Sequence, residues 1–471
     1  MKPEKLRWLI AVLVLFAMVL NYIDRGVVGI LKTEIMDAFG MDNAGFGNLQ
    51  ALFTACYALS YVGAGWLVDR FGAGRMIFIS ILSWSAVCAG GALARTLGVF
   101  ATLRGALGIV EPVIFPGQLR IVTNWFPASL RATANSICAC GGTVGMVVAP
   151  FIVGWLATER HAWLPEQWHG WRAAFIVPGA LGVLVAIVWF FVWREPPEEI
   201  LAASLASDNK AGAAARGAAP ARETPAPRGR ADGAAPPAQD ALPSSAGLDG
   251  SRGRLPPAGG PPALPEPASA FRWNQVWATR SFWGIVLSRV ISDPVWFFCL
   301  FWLPGYLREQ SGLTLAHYKW FGGIPYLVAA LGGIATSALS DRWVRRGLAP
   351  LASRKRLLVM LACLAPLCAL APFMQGPAPA IVIFSLIGLM CLSWLFSLGV
   401  VVAETFPNAN VGSVWGISGA FGAAGGTVFN VLAGKFLDPA GPPAILIAMA
   451  FLHPLATALL LALVRRERPA A

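Results

Sequence analysis

Trp8-Leu-Ile-Ala-Val-Leu-Val-Leu-Phe-Ala-Met-Val-Leu20, running straight into Asn21-Tyr22-Ile23-Asp24-Arg25, decides how this chain is read. The apolar run shows none of the period-2 alternation of a strand with one face to lipid and one to a lumen, so a membrane barrel is excluded. It is the beginning of an apolar helix, and a helix needs roughly 20 residues to cross a bilayer. The span therefore carries its polar cluster into the membrane. Lys2, Lys5 and Arg7 precede it and no small-residue cleavage site follows, so the sequence predicts a first span that is retained.

The remainder of the 471 residues repeats this composition: 56% are hydrophobic, 13% are charged and the mean hydropathy is +0.63, against ~25% charged in soluble proteins. Apolar runs fall at about 9–32, 47–68, 76–95, 98–120, 133–157, 172–193, 281–307, 320–340, 356–374, 378–403, 413–435 and 442–464. The expected fold is an all-α membrane protein of twelve transmembrane helices in two six-helix halves, 1–193 and 271–471. Between them, 194–270 has no aromatic residue and is dominated by Pro, Gly and Ala. Such a segment buries too little apolar surface to offset its ordering entropy, which predicts a disordered linker, with one short interfacial helix near Glu198 to Leu205.

A formal charge of +12 in a soluble protein would point to nucleic acid. Here the basic residues are topology signals. Arg70, Arg75, Arg131, Arg342, Arg345, Arg346, Arg354, Lys355, Arg356, Arg465, Arg466 and Arg468 share the side of the N-terminus, whereas Met374 to Ala380 carries no basic residue. This bias predicts both termini and the linker in the cytoplasm of a bacterium, with a multi-pass chain in the inner membrane. The lipid bilayer is then the main partner, nucleic acid is not one, and a monomer is expected.

All eight cysteines lie in apolar runs, Cys138 and Cys140 on different helix faces, and are expected to be inert core thiols rather than disulfides or zinc ligands. His161, His169, His317 and His453 have no ligand-like spacing, and no phosphate-binding glycine loop is present. No metal, no cofactor and no direct ATP drive are expected, and an enzyme would need a nucleophile–base constellation that the chain lacks.

The halves echo each other. Gly65-Trp-Leu-Val-Asp69-Arg70-Phe-Gly-Ala-Gly-Arg75 after span 2 has a decayed counterpart in Ser340-Asp341-Arg342-Trp-Val-Arg345-Arg346 after span 8. Trp125-Phe126-Pro127 is matched by Thr405-Phe406-Pro407, and Gly141-Gly142 by Gly425-Gly426. Repeats of this kind describe two bundles rocking about a central site. On these residues the chain resembles the major facilitator superfamily, everywhere except the linker. Asn21 to Arg25, Arg104 with Glu111-Pro-Val-Ile-Phe115-Pro116, Arg120 with Trp125-Phe126-Pro127, and Asp293-Pro294-Val295-Trp296 leading to Phe301-Trp302-Leu303-Pro304 resemble its anion:cation symporter branch, nearest to hexuronate and sugar-acid transporters.

Asp24 lies some 15 residues into span 1, about 22 Å along a helix and past the midplane. A charge at that depth costs at least ~2.5–3.5 kcal/mol and faces a cavity or a partner. Asp24 and Arg25 point about 100° apart, which favours separate roles over mutual neutralisation. Arg104 and Glu111, seven apart on span 4, share one face. Two carboxylates and two guanidiniums are thereby expected near one depth, and protonating either acid leaves the positive excess that an organic anion needs. The resemblance implies proton coupling at Asp24 and Glu111 and substrate-anion contact at Arg25 and Arg104. It also implies that Tyr22 and Tyr57 lie near the substrate, although aromatic packing explains them equally.

Asp69, Arg70 and Arg75 are expected to form a gating latch at a helix end, with Gly65 and Gly72 permitting close approach. Arg289 and Asp293 make a local i,i+4 pair or a gate, and the Asp293-Pro294 step is expected to break helix regularity. Gly142 and Gly419 stand where sugar-acid relatives carry a polar amide. The expected function is proton-coupled import of an organic anion, a sugar acid such as a hexuronate or aldonate, by alternating access. The alternatives are symport of an aromatic or dicarboxylic acid, and a non-transporting sensor of the same fold.

Overall fold

The computed structural model describes residues 3–126, 128–198, 200, 273–309, 312–406 and 408–465, so the linker expectation lies outside the described residues from 201 onward. Twelve helices among the described residues are long and apolar enough to cross a membrane. They are α1 (Glu4–Ile30), α2 (Asn43–Phe71), α3 (Ala73–Leu93), α4 (Leu97–Trp125), α5 (Ala134–Thr158), α6 (Gly170–Val192), α7 (Arg280–Phe301), α8 (Leu315–Arg345), α9 (Pro350–Phe373), α10 (Pro377–Thr405), α11 (Asn410–Leu437) and α12 (Pro443–Leu463). Side-chain caps start several of them. Asp42 accepts from Gly45 N at 2.7 Å, and Thr96, Thr279 and Thr314 each accept from the backbone N–H three residues on, opening α2, α4, α7 and α8.

The repeat read in the sequence is visible in the packing. In the first half α1 packs on α5, α2 on α4 and α3 on α6; in the second, α8 packs on α10. Gly141 of α5 lies against Leu15 O of α1, and its counterpart Gly425 of α11 against Val290 O of α7. Gly142 faces the ring of Tyr22, and Gly426 faces that of Phe297. A side chain at any of these four positions would collide with the neighbouring helix, which is why glycines recur there. Phe126 and Phe406, at the ends of α4 and α10, both turn to extended backbone, with φ/ψ of −116/134° and −108/155°.

One proline expectation needs correction. α7 is not interrupted at Asp293-Pro294: it runs as one helix from Arg280 to Phe301 with Pro294 inside it. Pro294 removes the donor that Val290 O would have, and the close seat of Gly425 against that carbonyl replaces the lost bond with packing. A break does fall in α4. Its α-helical hydrogen bonding ends at Val110, a 3-10 turn covers Glu111–Val113, and helix resumes at Ile114. Pro112 and Pro116 lack N–H groups, and Ile114 N–H bonds Glu111 O in the tighter pattern. The released carbonyls are met by hydroxyls: Ser80 donates to Val110 O at 2.5 Å and Ser60 to Ile109 O at 2.6 Å.

The halves meet at the end of the bundle remote from the chain termini, here called the far end. Gly29 of α1 abuts the backbone of Leu300 and Phe301 on α7, Gly47 of α2 abuts Asn430 and Gly434 on α11, and Gly323 of α8 abuts Val147 on α5. Among the described residues, three ion pairs cross between the halves there. Lys32 Nζ donates to both oxygens of Glu309 (3.1 and 3.0 Å). Arg308 clasps Glu34 at 2.7 and 2.6 Å and adds a bond to Ile30 O at 2.9 Å. Lys319 Nζ donates to Glu159 at 2.8 Å, which holds that carboxyl below its ordinary range.

Candidate transport site

α1, α2 and α4 bring the candidate charges together in the first half. Asp24, Arg25, Arg104 and Glu111 are 1%, 7%, 4% and 0% exposed, so each depends on protein partners. Arg25 Nε donates to Glu111 Oε2 at 2.6 Å. The turn at Glu111–Val113 therefore places the broken section of α4 at the carboxylate that meets α1. The Arg25 guanidinium also lies over aromatic rings, 4.8 Å from the centroid of Tyr57, 5.1 Å from Tyr22 and 5.6 Å from Phe115. These faces stabilise a cation without neutralising it.

Arg104 is partnered from α2. Its Nη2 donates to Gln50 Oε1 at 3.0 Å rather than to Glu111. Its guanidinium stacks 4.2 Å from the Phe53 centroid and 5.7 Å from Phe301 of the opposite half. Asp24 stands apart from both arginines, its Oδ1 accepting from Cys88 Sγ at 3.3 Å. Asp24 and Arg25, adjacent in sequence, thus serve different contacts.

Several buried donors have no hydrogen-bond partner among the described residues: Arg25 Nη2, Arg104 Nε and Arg104 Nη1. Two guanidiniums in contact with one carboxylate, one amide and five aromatic rings retain capacity for a further anion.

The remaining sequence candidates lie elsewhere. Asp69, Arg70 and Arg75 are exposed at the end of the bundle that holds the termini. Asp69 has Arg120 of its own half at 4.0 Å, and no heavy atom comes within 4 Å of a side chain placed at Gly65, so the expected close approach is absent there. Asp293 lies in the second half, bound to Arg289 through Nε at 2.9 Å and Nη2 at 2.8 Å.

Sequence reasoning missed Gln50, Tyr61 and the role of Cys88. Gln50, Thr54, Tyr57 and Tyr61 follow the 4-3-4 spacing of a single helix face, a polar stripe on α2 that was open to reading. Cys88 gave no signal beyond an apolar run. The expected core placement of the thiols fails at Cys140 and Cys363, which are exposed, while the buried Cys88 donates to Asp24. The far-end ion pairs were also missed, although Lys32-Glu34 and Arg308-Glu309 close the equivalent spans 1 and 7 with opposite charges available on each.

The chain belongs to the major facilitator superfamily, whose profile it matches over residues 14–398. It is a secondary transporter of a small organic solute working by alternating access. It is 27% identical over 349 residues to the D-galactonate transporter of Escherichia coli O6:H1 (strain CFT073), covering 74% of this chain and 70% of that one. It is 24% identical over 447 residues to the hexuronate transporter of Escherichia coli (strain K12), covering 93% and 90%. The same fold is found in a bacterial homolog of the human lysosomal transporter Spinster in an inward-facing and occupied conformation, with a TM-score of 0.70 at 18% identity over 98% of this chain and 99% of that one. A D-xylose–proton symporter gives a TM-score of 0.67 at 13% identity over 97% and 98%.

Proposed function

We propose that this protein is a proton-coupled symporter that imports an organic anion of the sugar-acid class, a hexuronate or aldonate, across a bacterial inner membrane with both termini in the cytoplasm. The observation that carries the reading is the buried Arg25–Glu111 contact at 2.6 Å, beside guanidinium donors on Arg25 and Arg104 that have no partner among the described residues. A substrate carboxylate uses those donors, in charge-assisted bonds that are stronger where water is excluded. Binding there competes with Glu111 for Arg25. The acid that loses its cation is easier to protonate, so anion binding and proton uptake favour each other, and by linkage the coupling is reciprocal. Asp24, with a thiol as its donor, is the second proton carrier.

Tyr22 and Tyr57 hold the Arg25 guanidinium between their faces and offer hydroxyls to the substrate. Asp69, Arg70 and Arg75 form the latch of the conformation in which the terminal end is closed. The names of the relatives favour a sugar acid. The test is uptake by proteoliposomes of a panel of labelled hexuronates, aldonates, dicarboxylates and aromatic acids, with and without an inward proton gradient. Gradient-driven accumulation of at least one acid supports the reading. Binding without movement of any acid would instead identify a sensor of the same fold.

A further inference from the structure

Asp24 is held differently from the other buried charges. Its Oδ1 accepts from the Cys88 thiol of α3 at 3.3 Å, and its Oδ2 has no hydrogen-bond partner among the described residues, although the side chain is buried. A buried carboxylate normally collects several donors, and a thiol is a weak one. The same sulfur lies 3.5 Å from the carbonyl oxygen of Phe175 on α6. One S–H hydrogen therefore has two acceptors and serves only one of them well at a time.

Close packing fixes both acceptors about the sulfur. A side chain at Gly91 of α3 would come within 3.1 Å of the Phe175 ring, and one at Gly179 of α6 would come within 2.8 Å of Ala89 and of Ser85 O on α3. With α3 and α6 so close, the freedom left to Cys88 is chiefly rotation of its hydrogen about the Cβ–Sγ bond. The charged groups near enough to act on Asp24 are Glu111 and Arg104 on α4 and Arg25 on α1. α5 carries no charged residue, α6 carries Arg172, bound to Ala92 O at 3.1 Å, and α3 carries Arg75, exposed at the terminal end. α7 meets α1 at Gly29 through Leu300 and Phe301. Cys88 is thus an uncharged group in direct contact with the acid, and its sulfur both donates and accepts.

We infer that Cys88 is a positioning residue for the Asp24 proton: its S–H points at Asp24 while that acid is ionised and turns to Phe175 O once the acid is protonated, when the sulfur accepts from the new O–H. No S–H bond breaks. The proton on Asp24 comes from water and returns to it, and only the thiol hydrogen rotates. The inference rests on the reading of Asp24 as a proton carrier and adds the group that lets one buried site accommodate both forms of the acid. A donor that bonds the ionised form favours it, so a weak and reversible donor keeps the two forms close in energy.

Two measurements test it. Infrared spectra at acid and alkaline pH read the S–H stretch, which lies apart from other protein bands and needs neither substrate nor transport. One S–H band is expected to shift with pH in the parent, to be missing in Cys88→Ala and to stay in place in Asp24→Asn. The second measurement is the pH dependence of D-galactonate binding. Cys88→Ala removes the donor and is expected to move the midpoint at least about half a pH unit to the alkaline side, roughly a threefold change in proton affinity. Cys88→Ser keeps a donor and is expected to lie at the parental midpoint or on its acid side. In an Asp24→Asn background neither substitution should move the profile, whereas a merely structural role would lower affinity without moving the midpoint. An S–H band that ignores pH, or that still shifts in Asp24→Asn, overturns the inference and leaves the proton-coupled reading in place. Equal midpoints in Cys88→Ala and the parent overturn it as well. D-galactonate binding that ignores pH in the parent overturns the proton-coupled reading and the inference with it.

Discussion

The buried charges near the middle of the first half and those at the far end are both ion pairs, but they are completed in different ways. Arg25 and Glu111 belong to one half, and the guanidiniums of Arg25 and Arg104 keep donors that no described residue uses. Lys32–Glu309 and Arg308–Glu34 join one half to the other, and Arg308 spends both terminal nitrogens on its partner. A pair inside one rigid bundle survives when the bundles rock, so its unused donors are suited to a ligand. A pair between bundles exists only while that end is closed, so its energy is a term in the conformational equilibrium. On the reading proposed above, the same chemistry serves binding in one place, and the far-end pairs are expected to serve gating in the other.

The sharpest way to break this contrast is to remove the central cations. Arg25→Ala and Arg104→Ala are each expected to abolish measurable substrate binding in protein that is still inserted. A charge-assisted bond is worth roughly 1.5–3 kcal/mol, and Arg25→Ala also leaves Glu111 buried without its cation. Near-parental affinity in both, read by isothermal titration or equilibrium dialysis, would move the anion site elsewhere. Next in size is Glu111→Gln, a permanent imitation of the protonated acid. It is expected to keep counterflow exchange of substrate while losing concentrative uptake under a pH gradient. Both are measured on the same proteoliposomes, and parental accumulation would exclude Glu111 as an obligatory proton carrier.

A smaller effect is expected at the far end. Glu34→Gln with Glu309→Gln leaves Lys32 and Arg308 without their carboxylates, which favours opening. Glu309 is 32% exposed, so the cost lies below the ~3–5 kcal/mol of a fully buried pair. Even ~1.4 kcal/mol changes a two-state ratio tenfold. Spin labels at Asn48 and Phe436, on α2 and α11 near the far end, should report a longer or broader distance distribution in the double variant. Substrate affinity of the open form should persist, in contrast to Arg25→Ala. An unchanged distribution would make these pairs incidental to gating.

Much of this was legible in the sequence because the membrane makes the rules strict. A span must be long, apolar and helical, so the twelve runs and the 6+6 division followed from hydropathy, and Asp24, Arg25, Arg104 and Glu111 were conspicuous as charges that lipid does not tolerate. What the sequence did not specify was pairing, and what it misjudged was local backbone. Arg104 and Glu111 share a helix face, yet Arg104 bonds Gln50, because a long side chain chooses partners across helices that spacing along one helix does not specify. Pro294 was expected to break its helix and does not, whereas Pro112 sits in a break. The difference lies in the partner surface: Gly425 packs on the carbonyl at Pro294, while serine hydroxyls from α2 and α3 accommodate the released carbonyls near Pro112. Cys88 was passed over because its significance depends wholly on Asp24 lying opposite it.

The smallest expected effect tests whether anything outside the two charged regions governs transport. The segment 194–270 carries neither the central charges nor the far-end pairs. Its Pro-, Gly- and Ala-rich composition without aromatics predicts a tether whose length matters more than its sequence. Deleting residues 212–262 removes 51 of its 77 residues and leaves 26. Fully extended, those reach about 85 Å, several times the ~10 Å diameter of a helix, so the two halves stay free to move relative to each other. A flexible chain of that length has a root-mean-square span of about 27 Å, so joining the halves is not a strained state. Gradient-driven uptake in the deletion protein is therefore expected within about threefold of the parent when normalised to inserted protein. Loss of uptake with insertion intact would give the segment an ordered role or a binding partner, and transport control would then no longer rest on the contrast between the central and far-end pairs alone.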